Sequence, residues 1–195
     1  MSRLAGLKLL LFSACALPGA LLLWRAFNGE LGANPVETLE HETGEWALRL
    51  LLVTLAMTPL RQLSGRAEFI QVRRMLGLYS FFYVSCHFAI FLVFDLSLSL
   101  AALFEEIIER PYITVGFAAW TLLLPLAITS TRGWQRRLKR NWKRLHRLIY
   151  PAVLLACVHF LWKVKADPVE PLIYLGMALA LLALRLPRVR ALLPD

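Results

Sequence analysis

Three of the four histidines, His87, His146 and His159, stand in or at the edge of long apolar stretches. An ionisable ring is costly to place in hydrocarbon, and inside a membrane helix it usually serves a function. Imidazoles facing each other from two helices are the usual clamp for haem iron. A helix histidine can also be an ordinary hydrogen-bonded packing residue, so depth is the test that separates the readings. His87 lies thirteen residues beyond Arg74, and His159 thirteen beyond His146. Each separation is about 20 Å of helix. If both helices enter the membrane from one face, His87 and His159 share a depth near the opposite face. They are then candidate axial ligands of one haem. His146 lies a layer lower and is the ligand candidate for an inner site. At its level the other helix offers Arg73 and Arg74 instead of a second histidine. These arginines, with Trp142, Arg144 and Arg147, are candidates for holding a haem propionate or a flavin phosphate.

Other chemistry has little support. The chain has no GxSxG, HExxH or P-loop and no Gly-rich dinucleotide fingerprint. Cys15, Cys86 and Cys157 each sit within an apolar stretch, and no CxxC occurs. They read as small buried residues. His41 lies in EHETGEW, which we expect to be an acidic loop ahead of the second helix. It is either a solvated loop residue or a contact for an outer partner.

The elements that must carry these residues follow from hydropathy. The 195 residues are 58% hydrophobic and 18% charged, more apolar than a soluble domain of this size. Six apolar blocks, about 9–27, 46–60, 75–94, 112–129, 148–162 and 172–186, approach the length needed to cross a bilayer. The expectation is an all-α integral membrane protein, a six-helix transmembrane bundle forming one domain over residues 1–195. No linker, low-complexity tract or internal repeat is evident. The first block follows Arg3 and Lys8 as a signal peptide would. Its apolar stretch is longer than usual, however, and no small-x-small site precedes Trp24 and Arg25. It reads as a retained helix.

Charge sets the orientation. Of the 22 Lys and Arg, all but Arg25, Arg49, Arg110, Lys163 and Lys165 fall in the N-terminus, the second and fourth connections and the C-terminal tail. Short basic loops stay cytoplasmic, so both termini should face the cytoplasm, in the inner membrane of a bacterium. Most acids lie in the opposite connections. The run RGWQRRLKRNWKRLHR (132–147) would suggest nucleic acid in a soluble protein. Between two membrane helices it reads instead as an anchor on anionic headgroups, with a phosphate-bearing cofactor or a cytosolic partner as further uses. No nucleic-acid partner is expected.

With these positions in hand, the chain resembles the ferric reductase-like transmembrane domain shared by ferric reductases and NADPH oxidases. Those proteins usually carry two histidines on each of two helices, whereas this chain has a pair on the fifth and His87 alone on the third. The resemblance is closer to the haem-binding membrane subunits of periplasmic methionine sulfoxide reductase systems. It runs through LGANPVETLEHETG (31–44), MTPL (57–60), RRMLGLYSFFYVSCHF (73–88), RPYITVGFAAW (110–120), LAITST (126–131), WKRLHRLIY (142–150), HFLWKVK (159–165) and PLIY (171–174). It implies one or two haems b, and FMN. It also implies electrons taken from quinone or a cytosolic flavin reductase and passed to a periplasmic molybdopterin-containing catalytic subunit, where sulfoxide reduction would occur. Two other readings compete. A stand-alone reductase of a small acceptor predicts a dehydrogenase domain, for which these residues leave no room. A non-redox scaffold or transporter predicts a colourless protein.

Overall fold

The structure, a computed structural model, describes residues 3–164 and 167–186. Lys165, Arg188 and Arg190, which entered the charge argument, lie outside the described residues. All regular elements among the described residues are helical. They belong to two compact units, Met1–Ser99 and Leu100–Asp195.

The first unit contains α1 (Arg3–Phe27), α2 (Pro35–Ser64) and α3 (Glu68–Ile90), the last running into a π-helical turn at Phe91–Asp95. α2 begins well before the expected block, so EHETGEW is helix and not loop. The cause is local. The Asn34 side chain accepts from the Glu37 amide at 3.3 Å and donates to the Glu37 carboxylate at 2.9 Å, and Pro35 occupies the first helical position. This reciprocal cap starts the helix there. At the other end Gly65 takes φ 69° and returns its amide to the Arg61 carbonyl, a left-handed stop.

Tyr83 joins α3 to α1. Its hydroxyl donates to the Cys15 carbonyl at 2.7 Å and accepts from the Gly19 amide at 2.8 Å. These are i and i+4 partners of one helical turn, so the phenol sits in the backbone ladder of α1 beside Pro18. Gly19 permits the approach, since a Cβ there would stand 3.0 Å from the hydroxyl. Ser80 similarly donates to the Ala47 carbonyl of α2 at 2.8 Å. Cys15, Ala47, Leu50, Met57, Val72, Leu76 and Tyr83 form the core these contacts enclose. Two basic residues that break the charge rule are paired in this unit: Arg25 with Glu42 at 2.8 Å and Arg49 with Glu45 at 2.5 Å.

The second unit contains α4 (Leu100–Glu109), α5 (Pro111–Ile128), α6 (Arg132–Leu138), α7 (Arg140–Leu145), α8 (Ile149–Lys163) and α9 (Val169–Ala183). α4 was not among the expected helices. It is amphipathic, burying Leu103 while Leu100, Phe104 and Ile108 stay exposed. Its C-terminal end is tied to α5 by the Arg110–Glu106 pair at 3.0 Å and by the Thr114 hydroxyl donating to the Ile107 carbonyl. α7 continues through a 3₁₀ turn, His146–Leu148, into α8. Ala152, Val153 and Cys157 of α8 and Ala178 of α9 are fully buried, the small residues that let helices in a bilayer approach closely.

Among the described residues, four helical stretches are long and apolar enough to cross a membrane: Leu4–Phe27, Glu68–Asp95, Pro111–Ile128 and Arg140–Lys163. The apolar middle of α2 is bounded by Arg49 and Arg61, and α9 has 15 residues. Cys15, Cys86 and Cys157 are free thiols, the first and last buried.

Candidate functional site

His87 on α3 directs Nδ1 to the carbonyl oxygen of Glu40 on α2, 2.9 Å away and 47 residues earlier in the chain. A carbonyl accepts and cannot donate, so Nδ1 carries the proton. The Nε2 lone pair is then the one a metal would meet. One turn beyond Glu40 is Gly44, which lies against the imidazole. A Cβ on it would come within 3.2 Å of Nδ1. Backbone carbonyl and glycine together fix both the tautomer and the ring plane.

The second unit repeats this construction. His159 on α8 donates from Nδ1 to the Tyr112 carbonyl of α5 at 2.7 Å, again across 47 residues. One turn beyond Tyr112 is Gly116, where a Cβ would meet His159 Nδ1 at 2.6 Å. The Tyr112 ring centroid lies 6.1 Å from that of the imidazole, and Lys163 Nζ lies 5.9 Å from the Tyr112 ring centroid. Metal-ligating histidines characteristically hand their second nitrogen to a carbonyl or carboxylate in this way. The two arrangements match part for part: carbonyl, glycine one turn on, histidine on the next long helix of the unit.

His146 is held differently. Its Nε2 lies 3.1 Å from the Thr129 hydroxyl, and that hydroxyl donates to the Pro125 carbonyl at 2.6 Å. With its hydrogen committed, the hydroxyl accepts from Nε2, which leaves the lone pair of the neutral ring on Nδ1. The imidazole stacks on Trp142 with centroids 4.0 Å apart, and the Trp142 indole donates to the Thr129 carbonyl at 2.9 Å. Thr129 thus ties the start of the α7–α8 helix to the end of α5.

The remaining expected residues separate by unit. Arg73 is half-buried and donates to Thr58 at 3.4 Å, while Arg74 is exposed. Arg144 and Arg147 are exposed beside Lys139, Arg140 and Lys143 around one recess. Trp142 offers its ring but spends its N–H on Thr129. His41 lies on α2, half-exposed, with Nδ1 3.4 Å from Glu45. Among the described residues no three His, Cys, Asp or Glu side chains gather to hold a metal ion. Haem iron needs from the protein only axial ligands, and imidazole is a common one.

The sequence reading missed Gly44, Gly116 and Thr129, and the carbonyls of Glu40 and Tyr112. The recurrence of Gly and His at one spacing was a signal for the glycines. A carbonyl partner leaves no letter to read.

His87 and His159 thus share one construction on long apolar helices, an imidazole whose Nδ1 is committed to a backbone carbonyl of another helix. Residues 43–157 match the family described as the ferric reductase like transmembrane component. The chain is 58% identical over 184 residues to the protein-methionine-sulfoxide reductase heme-binding subunit MsrQ of Xanthomonas axonopodis pv. citri (strain 306), covering 91% of this chain and 84% of the relative. It is 44% identical over 182 residues to the subunit of that name from Brucella anthropi (strain ATCC 49188), covering 93% and 82%. The chain belongs to the ferric reductase-like transmembrane family, and within it to the MsrQ family. It is a multi-pass inner-membrane protein.

Proposed function

We propose that this protein is the haem b-carrying electron-transfer subunit of a methionine sulfoxide reductase system. In this reading His87 and His159 would hold the iron of one haem near the outer face. The observation that carries it is the paired construction at these two residues: the same tautomer, imposed by a carbonyl at the same sequence distance, with a glycine beneath each ring. The equal sequence separations, thirteen residues from Arg74 to His87 and from His146 to His159, support the pairing. The donor set fits the group, because each histidine has Nδ1 protonated and so meets iron through Nε2. When bound, haem supplies a one-electron carrier. The protein's part is to hold the imidazoles, exclude water and keep the carrier at a fixed depth.

His146 belongs to a separate inner site. With Thr129 on its Nε2, any metal there would be met by Nδ1. We take Arg73, Arg74, Arg144 and Arg147, with the Trp142 ring, as the residues that hold a propionate or the phosphate of an FMN. The chain spans the membrane six times, α2 and α9 included, with both termini inside. Electrons enter from quinone or a cytosolic flavin reductase. They leave to a periplasmic molybdopterin-containing catalytic subunit, for which the acidic outer face and His41 form the docking side.

The test is an absorption spectrum of the solubilised protein, oxidised and then reduced with dithionite, with pyridine haemochrome analysis for the count. A low-spin b-type spectrum is expected. A colourless protein purified from haem-replete cells would sink the reading.

A further inference from the structure

Arg140, Lys143, Arg144 and Arg147 lie at i, i+3, i+4 and i+7 of the helix that leads into α8, so they share one face. The other face is occupied: Trp142 is hydrogen-bonded to Thr129, and His146 is stacked on Trp142. The anchoring contacts therefore turn the cations outward as a set. Lys139 joins them at the corner between α6 and α7, and the five line a recess of about 680 Å³ to which no other described residue contributes. All five are exposed, and among the described residues none has a carboxylate partner. This contrasts with Arg25, Arg49 and Arg110, each paired with a glutamate.

The corner is also strained. Lys139 has φ 47° and ψ −118°, the conformation of the first central residue of a type II′ turn, where glycine is the usual occupant. Strain of this kind persists where the surroundings over-determine it and clusters at ligand sites. Here it places a fifth cation beside four already in mutual repulsion. Orientation by loop charge asks only for basic residues near the membrane. It does not ask for their convergence on one recess, or for a lysine at a glycine corner.

We propose that Lys139, Arg140, Lys143, Arg144 and Arg147 form a binding site for a phosphate group. Arginine forks match phosphate oxygens two at a time, and the lysines add point charge. The group could belong to a soluble phosphate compound or to an anionic lipid headgroup, since both present the same oxygens. The inference rests on the proposed cytoplasmic placement of this face and not on haem. Haem content is read from the Soret band of the same samples, so failure of one reading is visible apart from the other.

The experiment uses the full chain in phosphatidylcholine discs, with inorganic pyrophosphate as the soluble probe and cardiolipin-containing discs as the lipid probe. Wild-type protein should bind one of them saturably. The triple variant Lys143→Gln, Arg144→Gln, Arg147→Gln should bind it about tenfold more weakly or worse. The charge-matched control Arg132→Gln, Arg136→Gln, Arg137→Gln should keep wild-type affinity. Saturable pyrophosphate binding in neutral discs assigns the soluble source. Its absence, together with cardiolipin binding of the same variant pattern, assigns the headgroup. Lost positive charge can invert a membrane protein, so a second variant, Arg144→Lys with Arg147→Lys, keeps the charge and removes the forks. It should lose affinity several-fold. Equal losses in the two triple variants, or no saturable binding of either probe, would overturn the proposal.

Discussion

A Cβ on Gly116 would stand 2.6 Å from His159 Nδ1 and 2.8 Å from its Cε1, closer than such atoms come in real structures. The ring is rigid and tied to the Tyr112 carbonyl, so it cannot simply swing away. Gly116→Ala should therefore displace the imidazole and cost about 1–3 kcal/mol by overpacking. Gly44→Ala, where the approach is 3.2 Å, should cost less. Haem content per protein and thermal unfolding, measured for both variants, check the order. A Gly116→Ala protein with full haem and unchanged stability would show that the contact does not constrain the ring.

Substitutions of the histidines should fall into two classes. His87→Ala and His159→Ala should each remove the same low-spin haem, and the double variant should look no worse than either. His146→Ala should spare that spectrum and slow reduction from the cytoplasmic side. Pyridine haemochrome ratios with stopped-flow reduction separate these outcomes. Loss of one haem in His87→Ala and His146→Ala, with His159→Ala unaffected, would overturn the depth assignment.

The two tyrosines of α3 that reach α1 should differ in weight. Tyr83 is buried and satisfies two backbone groups of α1, whereas Tyr79 makes one bond, to the Phe12 carbonyl at 3.2 Å, near the surface. Tyr83→Phe leaves both the Cys15 carbonyl and the Gly19 amide without the hydroxyl. We expect a loss of about 1–2 kcal/mol, at the upper end for hydrogen bonds between membrane helices, and a few tenths for Tyr79→Phe. Unfolding in mixed micelles measures both, and equal effects would contradict the burial argument.

Topology is testable on its own. In the proposed orientation, with both termini inside, a C-terminal cytoplasmic reporter should be active and a periplasmic one silent. Robust periplasmic activity would refute either the span count or the orientation.

Much of this was legible in the sequence, and the gaps have physical reasons. Hydropathy located the helices that carry His87 and His159 because burial in lipid requires long apolar runs. It missed α4, whose alternation of Leu100, Leu103, Phe104 and Ile108 with glutamates dilutes any average. It also misplaced the start of α2, although Asn34, Pro35 and Glu37 spell a helix cap, because an acidic stretch reads as loop when capping is not weighed. The paired construction stayed hidden for another reason. Its acceptors are main-chain oxygens, so Glu40 and Tyr112 can play one role with unrelated side chains. Only glycine and histidine recur, too few letters to register as a repeat.

The acceptors on the two Nδ1 atoms are amides, and an amide carbonyl cannot take up a proton at ordinary pH. A carboxylate in that place could draw the hydrogen toward itself as the oxidation state changed. Here the imidazole hydrogens stay put, and an electron passing these two histidines would take no proton from them. In the proposed direction, from the cytoplasm outward, that is uncompensated charge crossing the insulating layer. A full crossing is worth about 2.3 kcal/mol per 100 mV. With the cell interior negative the voltage drives the electron outward, so turnover would draw down the membrane's stored energy, and repair outside the cell would be electrically coupled to the state of the membrane.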